Sequence, residues 1–290
     1  MLLRYVRASV EDQEKIRDFL RQFIDDYLTD QIEQLVAQRQ GGLYLALEDE
    51  QIIGTAAISL PKRHEAYLSG MRIAPSRQGQ GVAEAFAKFQ IAEAERLGAG
   101  IARALVHQDN QTSLHILQES LGFHVVDGWM VGTLSGFEAP EVPPLEAGPA
   151  WAVDKERILS FWSRFADDLW AGQNLWGPHS LTMEDIWQRF ENSGVAVAPQ
   201  TENQEVDTLA MYRVGQKKTM YINYFRMAEG RLASELLGYL WVEARAWGLE
   251  QVQYGLPQRQ AEKFLSLSGL TPADTWTGIV LEKDLSLTHE

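Results

Sequence analysis

The sequence predicts an α/β (α+β) protein built from two domains, and three observations support this prediction. The chain has 290 residues, which is about twice the usual domain length. Strand patterns and helix patterns alternate along it, as is typical of sheets covered by helices. Residues 138–150, EAPEVPPLEAGPA, hold four of the ten prolines without apolar periodicity. They predict a linker stiffened by proline, between a first domain at 1–137 and a second at 151–290.

Composition limits the possible classes of protein. Hydrophobic residues make up 45% of the chain and charged residues 23%, which excludes collagen-like, coiled-coil and disordered proteins. The chain has no cysteine, so it has no disulfide, thiolate metal site or cysteine nucleophile. Its net charge of -14 disfavours nucleic acid and favours a cationic or amine substrate. The start lacks a signal-peptide pattern, and the longest apolar run, 52–60, is too short to span a membrane, so we expect a cytoplasmic protein.

The first half shows a regular succession of elements. Apolar alternation predicts the strands, and the spacing of apolar residues predicts the helices, the first of which Ser9 would cap. Gly98 is a plausible end for the long helix because glycine favours that position. The predicted order is strand 2–8, helices 10–23 and 30–39, strands 42–48, 51–60 and 67–74, helix 81–97, strand 101–107, helix 112–121, and a final β pair around 123–134.

The second half repeats the closing order of the first. The predicted elements are a strand at 220–227, a helix ending at Gly248, a strand at 251–256, a short helix at 261–268 and a strand at 275–282. Gly98 and Gly248 lie 150 positions apart, while Gly122 and Gly269 lie 147 apart. This nearly constant offset favours a duplicated fold over two unrelated domains.

The most informative stretch is residues 73–83, IAPSRQGQGVA, which joins a strand to a helix through a turn that contains glycine. Gly79 and Gly81 allow the main chain to approach a ligand closely. The free N–H groups of the first helical turn, at the positive end of the helix dipole, suit a phosphate or diphosphate. Arg77 adds a positive charge. We call this stretch the cradle, and it predicts an anion site.

Two other phosphate motifs do not fit the cradle. A dinucleotide-binding fingerprint needs a third small residue where Glu84 stands, and a P-loop needs Gly-Lys-Ser/Thr, which is absent. The pattern that remains is Gln78-x-x-Gly81-x-Ala83.

This pattern resembles the pyrophosphate loop of the GNAT superfamily of N-acetyltransferases, Gln/Arg-x-x-Gly-x-Gly/Ala between a strand and a long helix. Asn110-x-x-Ser113, followed by Leu-Gly-Phe at 121–123, resembles the later motif of that family. The resemblance covers residues 1–135 and includes the order of elements. It implies two tandem GNAT-like domains, each a mixed, mostly antiparallel sheet flanked by helices.

The resemblance also implies a ligand and the residues that contact it. The co-substrate would be acetyl-CoA, without a metal, and an amine would attack the thioester directly. A peptide N–H near Ile73 would stabilise the oxyanion. The main chain of the fourth strand would pair with the pantetheine arm, the cradle would hold the pyrophosphate, and the loop after the fifth strand would contact the arm from the other side. These contacts fall to Met71, Arg72 and Ile73, to Arg77, Gln78, Gly79, Gln80, Gly81, Val82 and Ala83, and to Asn110 and Ser113.

The sequence departs from the family at two catalytic positions. Many members place a glutamate base on the fourth strand, where this chain reads Leu-Ser-Gly at 68–70. A tyrosine that protonates the leaving thiolate is frequent where this chain has Leu117 or Gln118. Because thiolate is a good leaving group and some amines arrive neutral, an enzyme of this type can also act by positioning alone.

Three side chains are candidates to replace the missing groups. His107 ends the fifth strand and has an ordinary pKa of about 6.5, which suits a base. Glu65 just precedes the fourth strand, where a loop could bend over the acceptor, and is a candidate base; Tyr67 begins that strand and is a candidate acid. Each also has a plainer interpretation: a histidine bonded to the main chain, an exposed glutamate and a packed tyrosine.

The second half lacks the features of the cradle. The equivalent residues 227–233, MAEGRLA, keep only Gly230, and Glu229 would repel a diphosphate. We therefore expect a degenerate GNAT-like repeat there.

Tryptophan is concentrated in the second half, since eight of nine lie at or after Trp151. They predict either an aromatic core or a pocket for a cationic amine, in which Trp170 or Trp176 would lie beside Asp167 and Asp168.

The leading hypothesis is an acetyl-CoA-dependent N-acetyltransferase acting on a small-molecule or peptide amine, as a monomer or homodimer. The alternative is a protein that binds acyl-CoA for regulation without turnover, because the glutamate and the tyrosine are missing.

Overall fold

The computed structural model describes residues 3–24, 26–172, 175–192, 194–201, 204–215 and 217–286. The chain forms two compact units. Unit 1 consists of Met1–Val126 together with Val280–Glu290, and unit 2 consists of Asp127–Ile279. This division differs from the predicted boundaries, because the proline-rich segment 138–150 lies inside unit 2. Among the described residues, no helix is long and apolar enough to cross a membrane.

The strands and helices are numbered in chain order. The strands are β1 (Arg4–Arg7), β2 (Gly42–Glu48), β3 (Gln51–Lys62), β4 (Glu65–Ile73), β5 (Ile101–His107), β6 (His124–Ser135), β7 (Gly148–Pro149), β8 (Leu169–Trp170), β9 (His179–Ser180), β10 (Val195–Ala198), β11 (Thr208–Val214), β12 (Thr219–Met227), β13 (Gln251–Pro257) and β14 (Asp274–Asp284). The α-helices are α1 (Gln13–Leu20), α2 (Leu28–Val36), α3 (Val82–Arg96), α4 (Gln111–His115), α5 (Lys155–Ser163), α6 (Met183–Glu191), α7 (Ala233–Ala246) and α8 (Gln258–Ser268).

Unit 1 is a mixed sheet covered by helices. Its strands follow the order β1-β2-β3-β4-β5-β14, and the residues of β14 that belong to this unit begin at Val280. The pairs from β1 to β4 are antiparallel, whereas β4 and β5 are parallel. Every residue of β2 is buried, which fits its nearly continuous apolar sequence. Apolar side chains of α1 and α2, among them Ile16 and Ile32, pack against this sheet in one core.

Local interactions define the start of the first helical segment. The Ser9 main-chain N–H and hydroxyl both donate to the Asp12 carboxylate, at 2.8 and 2.7 Å. The helix therefore begins with a 3₁₀ turn at Val10–Asp12 and continues as α1. Ser9 caps it as the sequence predicts.

Unit 2 repeats the plan of unit 1. Its strands follow the order β14-β6-β13-β12-β11-β10-β7, with β12 and β13 parallel and α7 leading from one to the other. The core joins Phe225, Trp241, Tyr254 and Phe264 with the apolar face of α7. The prediction of a repeated closing order is therefore confirmed in β12, α7, β13, α8 and β14.

One prediction for the end of the first half was wrong, and another was confirmed. The predicted β pair at 123–134 is the single strand β6. Its glycines, which look like turn signals, make room for neighbours instead: a Cβ at Gly128 would collide with the Gln258 side chain, and one at Gly132 with the Tyr254 hydroxyl. The helix predicted at 112–121 is α4 followed by a π-helical turn at Ile116–Ser120.

Candidate functional site

The cradle is an open loop between β4 and α3. It begins with a 3₁₀ turn at Pro75–Arg77 and reaches Gly81, the N-cap of α3. Gly79 and Gly81 have φ angles of +71° and +77°, in the left-handed region that favours glycine. A Cβ at either position would meet no other atom within 4 Å. The turn therefore requires glycine for its main-chain conformation, and the space beside it is free of described protein atoms.

The first turn of α3 presents main-chain donors to this space. No side chain caps the helix at Gly81, and the Ala85 N–H bonds the Gly81 carbonyl at 3.1 Å. The N–H groups of Val82, Ala83 and Glu84 precede that bond and have no partner within the helix. Glu84 pairs with Lys88 at 2.7 Å, which offsets its negative charge. This geometry suits a diphosphate.

Arg77 does not supply a free positive charge to the cradle. Its Nε donates to Glu48 Oε2 at 2.8 Å, and its guanidinium also forms an ion pair with that carboxylate. Glu48 is buried, and its Oε1 has no hydrogen-bond partner. Glu48 was not among the predicted site residues, because it lies 29 positions from Arg77 in sequence. We conclude that Arg77 neutralises a buried acid at the edge of the cradle.

Two glutamine side chains form hydrogen bonds within the cradle. Gln78 Nε2 donates to the carbonyl of Ile73 at 3.1 Å, and Gln80 Nε2 donates to the carbonyl of Ser76 at 2.9 Å. These bonds hold the loop in shape. The ligand contacts predicted for Gln78 and Gln80 would be made by their main-chain N–H groups. The two side-chain hydrogen bonds do not involve those N–H groups.

A gap opens between β4 and β5 next to the cradle. Their parallel pairing runs from Glu65 and Ile101 to Leu68 and Ala104, although the strands continue to Ile73 and His107. The main chain of β4 that follows Leu68 is therefore not paired with β5. Met71, Arg72 and Ile73 lie on this part of the strand, where the sequence predicts contact with an extended ligand.

A bulge shapes β4 at the gap. Gly70 and Met71 lie opposite the single residue Ala56, because the register with β3 shifts there. Gly70 has a φ of +66°, and a Cβ on it would lie 3.1 Å from a methyl group of Leu28. A glycine inside a strand pattern is a signal for such a bulge, although no bulge was predicted at Gly70.

The Arg72 side chain points to the segment between α1 and α2. It forms an ion pair with Asp26, its Nη2 donates to Asp26 Oδ1 at 3.0 Å, and its guanidinium carbon lies 5.2 Å from the ring centre of Tyr27. The Arg72 main chain pairs with Thr55 of β3. The Arg72 guanidinium is thus bound by residues of unit 1. Only the Arg72 main chain is left to contact a ligand.

Asn110 and Ser113 form the start of α4, directly after β5. Asn110 is the N-cap, and its Oδ1 accepts the N–H of Ser113 at 3.1 Å. The same residue types that resemble a family motif therefore have a local structural role as well.

The comparisons with known proteins agree with this geometry. Residues 11–123 match the model of the acetyltransferase (GNAT) family. This part of the chain is a GNAT acetyltransferase domain. The match supports acyl transfer by this domain. No curated protein matches the chain in sequence.

Solved structures resemble the whole chain. A GCN5-related N-acetyltransferase from Sphaerobacter thermophilus has a TM-score of 0.69 at 13% identity, with 98% of this chain and 96% of that chain covered. A tandem GNAT protein from the clavulanic acid biosynthesis pathway has a TM-score of 0.56 at 12% identity, with 98% and 99% covered. A glucosamine N-acetyltransferase region of a fungal β-N-acetylglucosaminidase has a TM-score of 0.68 at 11% identity, with 97% and 38% covered. These likenesses establish the tandem GNAT fold.

Two of the three catalytic candidates lie in the paired half of β4, away from the cradle. Glu65 begins the strand and is buried in an ion pair with Arg103, which also pairs with Glu282 at 2.7 Å. The cradle follows the opposite end of β4. Glu65 is therefore a structural carboxylate in this GNAT domain, and the prediction of a base there is not supported by its position.

Tyr67 lies closer to the gap. Its hydroxyl bonds the main chain of Leu105, the residue of β5 that follows the last parallel pair. Burial raises the pKa of the Tyr67 phenol well above its ordinary value. A phenol with a raised pKa holds its proton more tightly than a thiol does, so proton donation to a thiolate is unfavourable. Tyr67 instead connects the two strands where they separate.

His107 is half-buried at the end of β5. Its Nδ1 accepts the N–H of Asp109 at 3.2 Å. In the neutral imidazole the proton is then on Nε2, which leaves no lone pair at Nε2 for the proton of an amine. This hydrogen bond argues against His107 as the base and agrees with the plainer interpretation.

The hypothesis that Trp170 forms the wall of a pocket for a cationic amine was wrong. Trp170 is only 4% exposed, and the cation facing it is Arg189, whose guanidinium carbon lies 5.7 Å from the ring centre. Trp176 is half-exposed and packs edge to face with Trp276.

The acids of that hypothesis have different positions. Asp167 is exposed, whereas Asp168 accepts the Tyr224 hydroxyl at 2.8 Å and lies 3.3 Å from Arg226 Nε. Burial raises the pKa of the Asp168 carboxyl. Asp168 thus has a cationic partner within unit 2. Among the described residues, no cluster of histidine and carboxylate side chains is arranged to hold a metal ion.

Proposed function

We propose that unit 1 transfers the acetyl group of acetyl-CoA to the nitrogen of an amine. The observation that carries this proposal is the cradle: two glycines with positive φ and an uncapped α3, placed where β4 separates from β5. A diphosphate fits because the space beside Gly79 and Gly81 is free and lined by main-chain donors. The cofactor-binding residues predicted from sequence belong to this proposal, with Arg77 acting through Glu48.

Three parts of unit 1 would hold the ligand. The N–H groups of residues 78–83 would bind the diphosphate. The main chain of Met71–Ile73, which β5 leaves unpaired, would bind the pantetheine arm as a neighbouring strand would. Asn110 and Ser113 would contact the arm from the loop after β5. Together these contacts would fix the thioester beside the bulge at Gly70.

Acetyl-CoA supplies an activated acetyl thioester. In the reaction, the bond between the amine nitrogen and the acetyl carbon forms, the carbon–sulfur bond breaks to release the CoA thiolate, and the proton lost by the nitrogen passes through solvent to that thiolate, giving the CoA thiol. A main-chain N–H near Ile73 would stabilise the negative oxygen, a contribution that can reach about a hundredfold in rate. The positions of Glu65, Tyr67 and His107 favour catalysis by positioning, with a neutral amine as the acceptor.

The acceptor class follows from charge. A net charge of -14 favours an amine that is a small molecule or part of a peptide over a polyanion. We further propose that the protein is located in the cytoplasm and acts as a monomer or homodimer.

The glycines of α3 allow a matched test. Gly81 precedes α3 and Gly98 follows it, both have a positive φ, and a Cβ at either would meet no atom within 4 Å. Alanine should therefore cost about 1 kcal/mol of stability at each position. Only Gly81→Ala should weaken acetyl-CoA binding measured by calorimetry, because only Gly81 lies in the cradle.

Two results would overturn the proposal. The unaltered chain could fail to bind acetyl-CoA, or the two alanine variants could bind it equally well. Release of the CoA thiol with a panel of amines tests the transfer step. Binding without release for any amine would support the regulatory alternative instead.

A further inference from the structure

Unit 2 contains a counterpart of the cradle, and the chain itself fills it. Residues 228–232 connect β12 to α7, as the cradle connects β4 to α3. Asp207 Oδ1 accepts the N–H groups of Glu229 and Gly230, at 3.2 and 3.0 Å. Its Oδ2 accepts the N–H of Leu232 at 3.0 Å. A carboxylate thus takes the main-chain donors that a phosphate would use at the start of a helix.

The main chain fixes Asp207 in this position. Asp207 directly precedes β11, its N–H donates to Ala198 at 2.8 Å, and its carbonyl accepts the N–H of Ala228 at 2.7 Å. Thr208 Oγ1 also donates to the carboxylate, at 3.0 Å. The side chain is therefore held over the loop from both of its neighbouring strands.

The gap between the parallel strands of unit 2 is filled as well. Pairing of β12 with β13 ends at Ile222 and Tyr254. The next residue of β12, Asn223, is fully buried; its carbonyl accepts the Ala171 N–H at 3.3 Å, and its Nδ2 donates to the Gly172 carbonyl at 2.9 Å. On β13, a Cβ at Gly255 would lie 2.8 Å from Leu175. Beyond their last pair, β12 is therefore contacted by Ala171 and Gly172, and β13 by Leu175.

The two units treat the acid of the equivalent turn differently. In unit 1, Glu48 at the end of β2 is bound by Arg77, and the N–H groups of α3 stay available. In unit 2, Asp207 at the end of the connection between β10 and β11 binds the N–H groups directly. Arg231 lies in the loop between β12 and α7, and its side chain pairs with Glu229 of the same loop.

We propose that Asp207 is a built-in anion that replaces the diphosphate in unit 2, and that the segment with Ala171 and Gly172 replaces the arm of the ligand. Unit 2 is then closed to CoA by its own contacts, and each chain binds one CoA. This inference uses the proposed ligand of unit 1 only to define what is excluded from unit 2.

An anion-rescue experiment on the full chain tests the role of Asp207. Asp207→Ala leaves three N–H donors without a partner, so the melting temperature should fall by about 4–10 °C. Sodium formate should restore at least half of that loss when compared with sodium chloride at equal ionic strength. Asp185→Ala is the matched control: Asp185 is buried at the start of α6, where its carboxylate accepts the N–H and hydroxyl of Thr182. Formate should raise the melting temperature of Asp185→Ala by no more than it raises that of the unaltered chain.

The outcomes separate clearly. Equal formate effects in all three proteins would overturn the role of Asp207. Calorimetry of the unaltered chain does not depend on whether a variant folds, and it should show one acetyl-CoA per chain. Two sites per chain would overturn the closure of unit 2. No binding at all would refute the proposed function of unit 1, while formate rescue would still test Asp207.

Discussion

Arg77 and Glu48 allow two roles of a cradle arginine to be distinguished. If Arg77 binds the diphosphate itself, Arg77→Ala should weaken acetyl-CoA binding whatever residue stands at position 48. If Arg77 acts by neutralising Glu48, as its hydrogen bonds indicate, the double variant Arg77→Ala/Glu48→Gln should recover binding. We expect recovery.

The structure sets the size of both effects. Breaking a buried ion pair costs about 3–5 kcal/mol. The Arg77 side chain is 34% exposed, although that of Glu48 is 8% exposed, so solvent screening reduces this loss to about 1–3 kcal/mol. If the unpaired charge of Glu48 lies about 8 Å from the bound diphosphate, it contributes about 0.5–2 kcal/mol at effective dielectric constants of about 20–80. Arg77→Ala should therefore weaken acetyl-CoA about 2- to 30-fold.

The assay is a double-mutant cycle with calorimetry for acetyl-CoA and thermal unfolding for stability. Arg77→Ala should lose both affinity and stability, and the double variant should approach the unaltered chain in both. Glu48→Gln alone should bind acetyl-CoA at least as tightly as the unaltered chain. A double variant that binds as weakly as Arg77→Ala would refute the neutralising role and restore direct contact between Arg77 and the diphosphate.

Three other perturbations test separate parts of the structure. His107→Gln should keep kcat within about twofold and leave its pH profile unchanged, because a neutral His107 offers no lone pair at Nε2; a lost pH limb near the pKa of histidine would contradict this. Glu65→Gln should lower the stability of unit 1 by about 1–3 kcal/mol, because it weakens the buried pair with Arg103, without changing acetyl-CoA affinity. Burial raises the pKa of the Asp127 carboxyl. The folded protein is therefore destabilised at pH values where this carboxyl is ionised, and the penalty is absent where it is protonated in both states. Asp127→Asn should therefore be more stable than the unaltered chain at pH 7 in urea unfolding, with the gain disappearing below about pH 4; a gain that persists at pH 3 would exclude this cause.

The sequence predicted the cradle because its signals are local. Glycines at fixed spacing, a strand before them and an apolar helix after them all lie within residues 67–97. The roles of Arg77 and Asp207 could not be predicted, since each depends on a partner brought together by the sheet. Glu48 lies 29 positions before Arg77, and Gly230 lies 23 positions after Asp207. Charge type and position in the motif were insufficient to show which acid each loop contacts.

The proline-rich segment shows a second limit of sequence patterns. Residues 138–150 lack apolar periodicity, yet they include β7, which pairs with β10 in unit 2. A two-residue strand is too short to produce an alternating pattern. The long strand β14 gave a clear pattern, but a pattern within a strand does not indicate which unit its residues join.

The composition of unit 1 has a consequence for how the protein is made. Its sheet includes the end of β14 beside β5, so this unit takes its last strand from the carboxyl-terminal part of the chain. During synthesis on the ribosome, residues 1–126 emerge long before Val280, and β5 stays without that neighbour until Val280 and the residues after it have also emerged. A gene fragment that stops after the proline-rich segment would therefore encode an enzyme domain with an open sheet edge, prone to pair with other chains.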